Sequence, residues 1–238
     1  MTNPKPAPTD NGLFRSLSDS DQDRINSDHA MVSLEVGTVL AAQDTPLGAI
    51  YFPTGALIRL SQLSGTNDRL CIGMVGTEGM LGIGPALGVE ALLMNATVQT
   101  SGGALRVESA VFRQHVLESR ELRHLLGAYS CVLINQLGRR AACHQFHAVE
   151  QRLARILLMA QDGQHSIPLR LTQQGLAELL GVARAAVSIS ATSLQKRELI
   201  RYRHGRITVL DRAGLRQVSC ACYADDRNHY RSIMGAPE

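Results

Sequence analysis

The 238-residue chain has no tryptophan, and its aromatic residues make up only 4 % of the sequence. A surface that stacks unpaired bases needs a supply of exposed rings, so the composition argues against a single-strand or RNA binder of the stacking type. Cysteine is sparse: five thiols, an odd number, lie scattered at positions 71, 131, 143, 220 and 222. That spacing builds no disulfide framework and points to a reduced, cytoplasmic protein. No apolar run reaches the length of a membrane span, and no basic start leads into an apolar stretch, so neither a membrane partner nor a leader is expected. Catalytic signatures are missing as well. No nucleophile, base and orienting group stand in a recognisable pattern, no glycine-rich loop joins a strand to a helix, and His115 and His124 are isolated. An enzyme is not expected.

What the chain does have is cationic charge at one end. Ala148–Glu238 holds 13 Lys and Arg against 8 Asp and Glu, whereas Met1–His147 holds 11 against 13. The excess narrows further to Arg184–Arg216, with eight basic and two acidic residues. Such a local excess is the footprint of phosphate contacts when the same segment has groove-reading geometry.

That geometry is legible. Thr172 stands where a helix N-cap belongs, and Leu176, Leu179 and Leu180 form the buried stripe of a short helix. Gly181 supplies the left-handed stop of a tight turn. A second helix begins near Ala183–Arg184, with Val187, Ser190, Ala191 and Leu194 at i, i+3, i+4 and i+7 facing inward. Arg184, Ala185, Ser188 and Thr192 face out. Small side chains behind one long cation allow close approach to a major groove, where an arginine makes two hydrogen bonds to guanine. Leu199–Ile200 and Arg201–Leu210 follow as two short strands around a basic turn containing Gly205. Helix-turn-helix and basic hairpin together predict a winged helix that binds double-stranded DNA.

The front of the chain reads differently. Residues 1–12 carry three prolines and little to bury, which predicts a disordered tail. Leu13–Arg24 predicts a short amphipathic helix. Between Met31 and Val111, runs such as Val32–Val36, Val39–Ala41, Ala49–Phe52, Leu57–Leu63, Leu70–Val75, Ala96–Thr100 and Ala104–Val107 are cut by glycines. Short strands at this interval predict an antiparallel barrel or jelly roll over 13–120. A proline-free helix follows over 121–147. Leu122, Leu126, Tyr129 and Leu133 alternate at four- and three-residue steps, the spacing of a coiled-coil seam, and predict pairing with a second copy of the chain. Residues 148–238 complete the winged-helix unit after a helix over Val149–Met159. The fold class is thus α+β, with a barrel, a long dimerisation helix and a C-terminal winged helix.

This order of parts resembles the bacterial Crp/Fnr family, which includes the cyclic-AMP receptor protein and the fumarate–nitrate reduction regulator. The resemblance runs from about Leu13 to Tyr223. It is carried most specifically by Leu171-Thr172, Leu179-Leu180-Gly181-Val182, Arg184, Val187, Leu194, Leu199-Ile200 and Gly205-Arg206-Ile207, and more loosely by Val36-Gly37, Tyr51-Phe52, Gly55 and Gly76. It implies a homodimeric transcription regulator with a cyclic-nucleotide-binding-like domain, acting at a palindromic site with RNA polymerase as partner. Arg184 would read a base edge, Thr172 would hold a phosphate, Ser188 would lie over the groove, and Arg203 and Arg206 would be wing contacts. Ala185 stands where the family often has a glutamate, so the operator should differ.

The ligand site departs from the family more sharply. Met94-Asn95 falls where the cyclic-nucleotide binders place an Arg-Ser pair, and a buried phosphate without a cation is costly. Cyclic AMP is therefore not the expected effector. Met80, Leu81, Leu93, Met94, Asn95, Leu133 and Leu137 would line either an apolar site or a plain core. An iron–sulfur cluster is disfavoured because the first cysteine is Cys71. Cys143, His144 and His147 are weighed as candidate ligands, the two histidines one turn apart for a metal or haem, and set aside as solvated; Cys220 and Cys222 are set aside as thiols that diverge on a helix, so no cofactor is expected. The alternative function is a small-molecule or haem sensor whose winged helix binds a protein instead of DNA.

Overall fold

The computed structural model describes residues 10–64, 68–163 and 169–235. Two short helices open it, α1 (Gly12–Arg15) and α2 (Asp19–Ser27). The strands β1 (His29–Leu34), β2 (Val39–Ala41), β3 (Thr45–Pro46), β4 (Ala49–Pro53), β5 (Leu57–Ser64) and β6 (Asp68–Val75) follow. After α3 (Ile83–Ala86) come β7 (Ala91–Leu92), β8 (Asn95–Thr100) and β9 (Gly102–Glu108), then α4 (Ser109–Glu118) and the long α5 (Arg120–Phe146). The remainder is α6 (Val149–Asp162), β10 (Leu169–Arg170), α7 (Gln173–Leu180), α8 (Arg184–Lys196), β11 (Ile200–Arg203), β12 (Arg206–Val209), α9 (Arg212–Val218) and α10 (Cys222–Met234).

The front half is the expected jelly-roll-like double sheet. One sheet has the order β1-β9-β4 and the other β2-β8-β5-β6, with β3 and β7 as a separate pair. All pairings are antiparallel, and alternate residues such as Ile58, Leu60, Ala96 and Val98 fill the space between the sheets.

Two expectations at the N-terminus need correction. Residues 1–9 of the expected tail lie outside the described residues, but Asn11 does not behave as tail: it is fully buried and donates to the carbonyls of Pro53 and Gly79, both at 2.8 Å. The single helix expected over Leu13–Arg24 is two, because the Ser18 hydroxyl accepts from the Asp21 N–H and starts a new helix there.

The long helix forms as expected but faces elsewhere. Leu122, Leu126 and Tyr129, expected to meet a second copy, are buried inside the chain's own core, with Phe14, Phe52, Met80 and Phe112. Leu133 packs half-buried against the same cluster. The Tyr129 hydroxyl accepts from the Met80 N–H at 3.1 Å. A side chain at Gly79 would collide with that hydroxyl, its Cβ only 2.1 Å away. Four-and-three spacing marks one buried stripe along a helix; it does not say what buries it.

A separate stripe stays open: His124, Gly127, Cys131, Ile134, Gly138 and Ala141 repeat the same spacing and are exposed. Ile134 is 69 % exposed, and nothing lies within 4 Å of a Cβ built on Gly127 or Gly138.

The C-terminal unit does not hang free. Leu57, Cys71 and Met74 of the barrel share one hydrophobic cluster with α6, α7, α8 and the small sheet. Arg140, buried on α5, donates to Cys71 O at 2.9 Å and to Leu179 O at 2.8 Å, bridging barrel and α7. Arg59 of β5 pairs with Glu178 of α7. Among the described residues no single helix is long and apolar enough to cross a membrane.

Candidate nucleic-acid interface

The interface begins with Thr172. Its hydroxyl accepts from the Gly175 N–H at 3.0 Å and fixes the start of α7. Gly181 ends that helix with φ 62°, the left-handed conformation that its sequence position requires. The two helices are bent by 107° across the break, within the range of a helix-turn-helix. Val187, Ala191 and Leu194 are buried, with Ser190 beside them, so the inward face of α8 is the one read from the sequence.

Its outward face carries Arg184, Ala185, Ser188 and Thr192, joined by Ile189 at 73 % exposure. The Gln173 side-chain carbonyl accepts from Ser188 Oγ at 2.9 Å and from Arg184 Nε at 3.4 Å. The first residue of α7 therefore aims two outward-facing side chains of α8. Ile189 was missed by the sequence reading. Its signal was its place one turn beyond Ala185, where an apolar side chain suits a thymine methyl.

The wing is a hairpin with a demanding turn. His204 has φ 50° and Gly205 φ 73°, the paired left-handed residues of a type I′ connection. Ile207 points into the core, while Arg201, Arg203 and Arg206 stay exposed. Tyr202 ties the wing to the helices: its N–H donates to Gln195 Oε1 at 2.8 Å and its hydroxyl to Leu171 O at 3.0 Å. Burial raises the phenol's pKa, and the Arg184 cation opposes that rise.

A third strand extends the row of charge. β10 pairs with the open side of β12, so Arg170 lies opposite Arg206, which lies opposite Arg203. Three arginines thus stand in register across three strands. Like charges placed directly opposite destabilise a sheet. Arg170 was not among the sequence candidates, because two residues ahead of a helix cap carry no strand signal of their own.

These side chains border two adjoining clefts. One, of about 560 Å³, is lined by Thr172, Gln173, Gln174, Arg184, Tyr202, His204 and Gly205. The other, also about 560 Å³, is lined by Arg201, Arg203, His204, Arg206 and Thr208. The structure brings the expected DNA-facing residues onto one cationic surface.

The expected ligand site does not assemble in the same way. Met80 and Leu133 belong to the cluster beneath α5, whereas Leu81 and Met94 belong to the cluster between the sheets. Leu93 is 60 % exposed and Leu137 39 %. Asn95 is buried, its side-chain carbonyl accepting from the Gln43 N–H at 3.2 Å. These residues divide between two cores and the surface. His144 and His147 do not form a pair either: His144 Nδ1 lies 2.9 Å from Arg152 Nη1, and His147 turns toward Cys222.

Residues 151–218 match the Crp-like helix-turn-helix domain. No curated protein sequence matches the chain. Among solved structures, FixK2 from Bradyrhizobium japonicum superposes with a TM-score of 0.68 at 13 % identity, covering 81 % of this chain and 98 % of its own. The c-di-GMP-responsive global regulator CLP from Xanthomonas campestris gives 0.62 at 16 %, covering 81 % and 99 %. A Crp/Fnr-family transcriptional regulator from Thermus thermophilus gives 0.63 at 21 %, covering 80 % and 98 %. The chain therefore carries a Crp-like helix-turn-helix domain over residues 151–218, joined to a double-sheet domain and long helix in the fold of the Crp/Fnr regulators.

Proposed function

We propose that the chain is a homodimeric, sequence-specific DNA-binding transcription regulator of the Crp/Fnr type. The observation that carries this reading is the continuous exposed surface of α8 and the wing, where Arg184 leads and Arg170, Arg203 and Arg206 stand in one row. Arg184 reads a base edge, Ser188 and Ala185 allow close approach, and the wing arginines and Thr172 hold phosphates.

The dimer seam in this proposal is the open stripe of α5 through Gly127, Cys131, Ile134, Gly138 and Ala141. Small residues there let a second α5 approach closely, and Ile134 gains a partner. Two recognition helices about 34 Å apart then address successive turns of a palindrome. The effector is not cyclic AMP in this reading. The barrel's Arg59 points to Glu178, and the Met94-Asn95 position offers no cation to a buried phosphate. RNA polymerase is the further partner of a regulator of this type.

The test is binding to duplexes carrying single base-pair changes. Arg184→Ala should cost about 1–3 kcal/mol at one base pair in each half-site and relax discrimination there. Equal weakening on every duplex would remove Arg184 from base reading.

A further inference from the structure

Cys143, His147, Cys220 and Cys222 converge at the junction of α5 with the C-terminal unit. Their sulfur and nitrogen atoms all lie within 4.8 Å of one another. Cys143 sits in the last turn of α5, and His147 is that helix's C-cap, its N–H donating to Cys143 O. The i, i+4 spacing puts both side chains on one face. Cys220 and Cys222 arrive from the bend between α9 and α10. Cys220 precedes the helix instead of lying in it, so the two thiols converge where a continuous helix would have splayed them.

The three sulfurs are buried and form a small cluster of their own, and all are free thiols. The spacing is informative. Cys143 Sγ lies 3.6 Å from Cys220 Sγ, and Cys222 Sγ lies 3.6 Å from His147 Nδ1. A tetrahedral ion with metal–sulfur bonds of about 2.3 Å and metal–nitrogen bonds of about 2.05 Å has sulfur–sulfur edges of about 3.8 Å and sulfur–nitrogen edges of about 3.6 Å. A disulfide would need its sulfurs at about 2.05 Å.

We propose that Cys143, His147, Cys220 and Cys222 bind one zinc ion in a closed, four-ligand structural site. Three thiolates with one imidazole select zinc over the oxygen-loving divalent ions and leave no open position for catalysis. Three thiolates on a divalent ion leave one negative charge, and the Arg155 guanidinium acts electrostatically on Cys143. The site would join groups 77 residues apart and pin the end of the long helix to α10. Ion pairs of Arg139 with Asp225 and of Arg155 with Asp226 already hold α10 there.

The experiment uses the full chain purified with a reductant. Elemental analysis should find one zinc per chain. Cobalt exchanged for it should give the intense visible bands and near-ultraviolet thiolate transitions of a tetrahedral site. Cys222→Ser should weaken zinc binding by at least about a hundredfold. Cys222→His, which keeps a fourth ligand, should retain the metal with an altered cobalt spectrum, and Cys131→Ser, outside the cluster, should leave the zinc content and the cobalt spectrum unchanged. Absence of zinc together with a weak octahedral cobalt spectrum in the native chain would overturn the proposal. So would a Cys143–Cys220 disulfide in protein isolated without oxygen.

Discussion

Replacing Arg206 with alanine should weaken DNA binding and stabilise the fold at the same time. Arg206 is the centre of the row, opposite both Arg170 and Arg203. Its removal relieves two like-charge pairs. At exposed positions these are worth together about 0.5 kcal/mol, or an increase of about 1–2 °C in melting temperature. The loss appears on DNA. Each phosphate contact contributes about 0.9 to the slope of log affinity against log salt, so the dimer loses about 1.8. Because the variant is less salt-sensitive, its deficit at about 50 mM salt should exceed that at about 200 mM by about tenfold. Fluorescence anisotropy on one duplex across salt, with thermal melting of the free protein, measures both. Arg216→Ala, an exposed cation on α9, is the control and should change neither. A lower melting temperature with an unchanged salt slope would make Arg206 a structural residue and refute the argument.

Other perturbations test other layers. Ile134→Glu should leave helical content unchanged but convert dimer to monomer in light scattering, because a carboxylate enters the open seam of α5; a persistent dimer would place the interface elsewhere. Gly79→Ala should cost about 1–3 kcal/mol by overpacking against the Tyr129 ring, and Tyr129→Phe should make that cost smaller than additive in a double-mutant cycle of chemical denaturation. Burial pushes the Glu78 pKa above its ordinary value, so ionising it costs folding stability as pH rises past the ordinary carboxylate range. Glu78→Gln keeps an acceptor for the Gly76 N–H. It should therefore melt higher than the native chain near neutral pH, with the gap closing as the medium is acidified into the ordinary carboxylate range.

The DNA-facing surface was legible because its signals are local. A cap at Thr172, a left-handed glycine at 181 and an apolar stripe at 187, 191 and 194 each act within one or two turns. The wing's Gly205 is equally local. The fate of Leu122, Leu126 and Tyr129 was not legible, since a helix's apolar face carries no label for its partner, and the barrel covers it first. The cysteine cluster was hidden for a related reason. Its members lie 77 residues apart along the chain, and reading Cys220 and Cys222 as one helix sent them in different directions. Only the bend ahead of Cys222 reunites them. The effector side of the barrel stayed illegible because alternation within strands fixes inside and outside, not the vacancy of a cavity.

Selection of binding sites from a randomised duplex pool by the full chain tests the central claim most directly. The account requires enrichment of a two-fold symmetric sequence whose half-sites are centred about one helical turn apart. Enrichment of a lone, unrepeated half-site, or no enrichment at low salt, would contradict it.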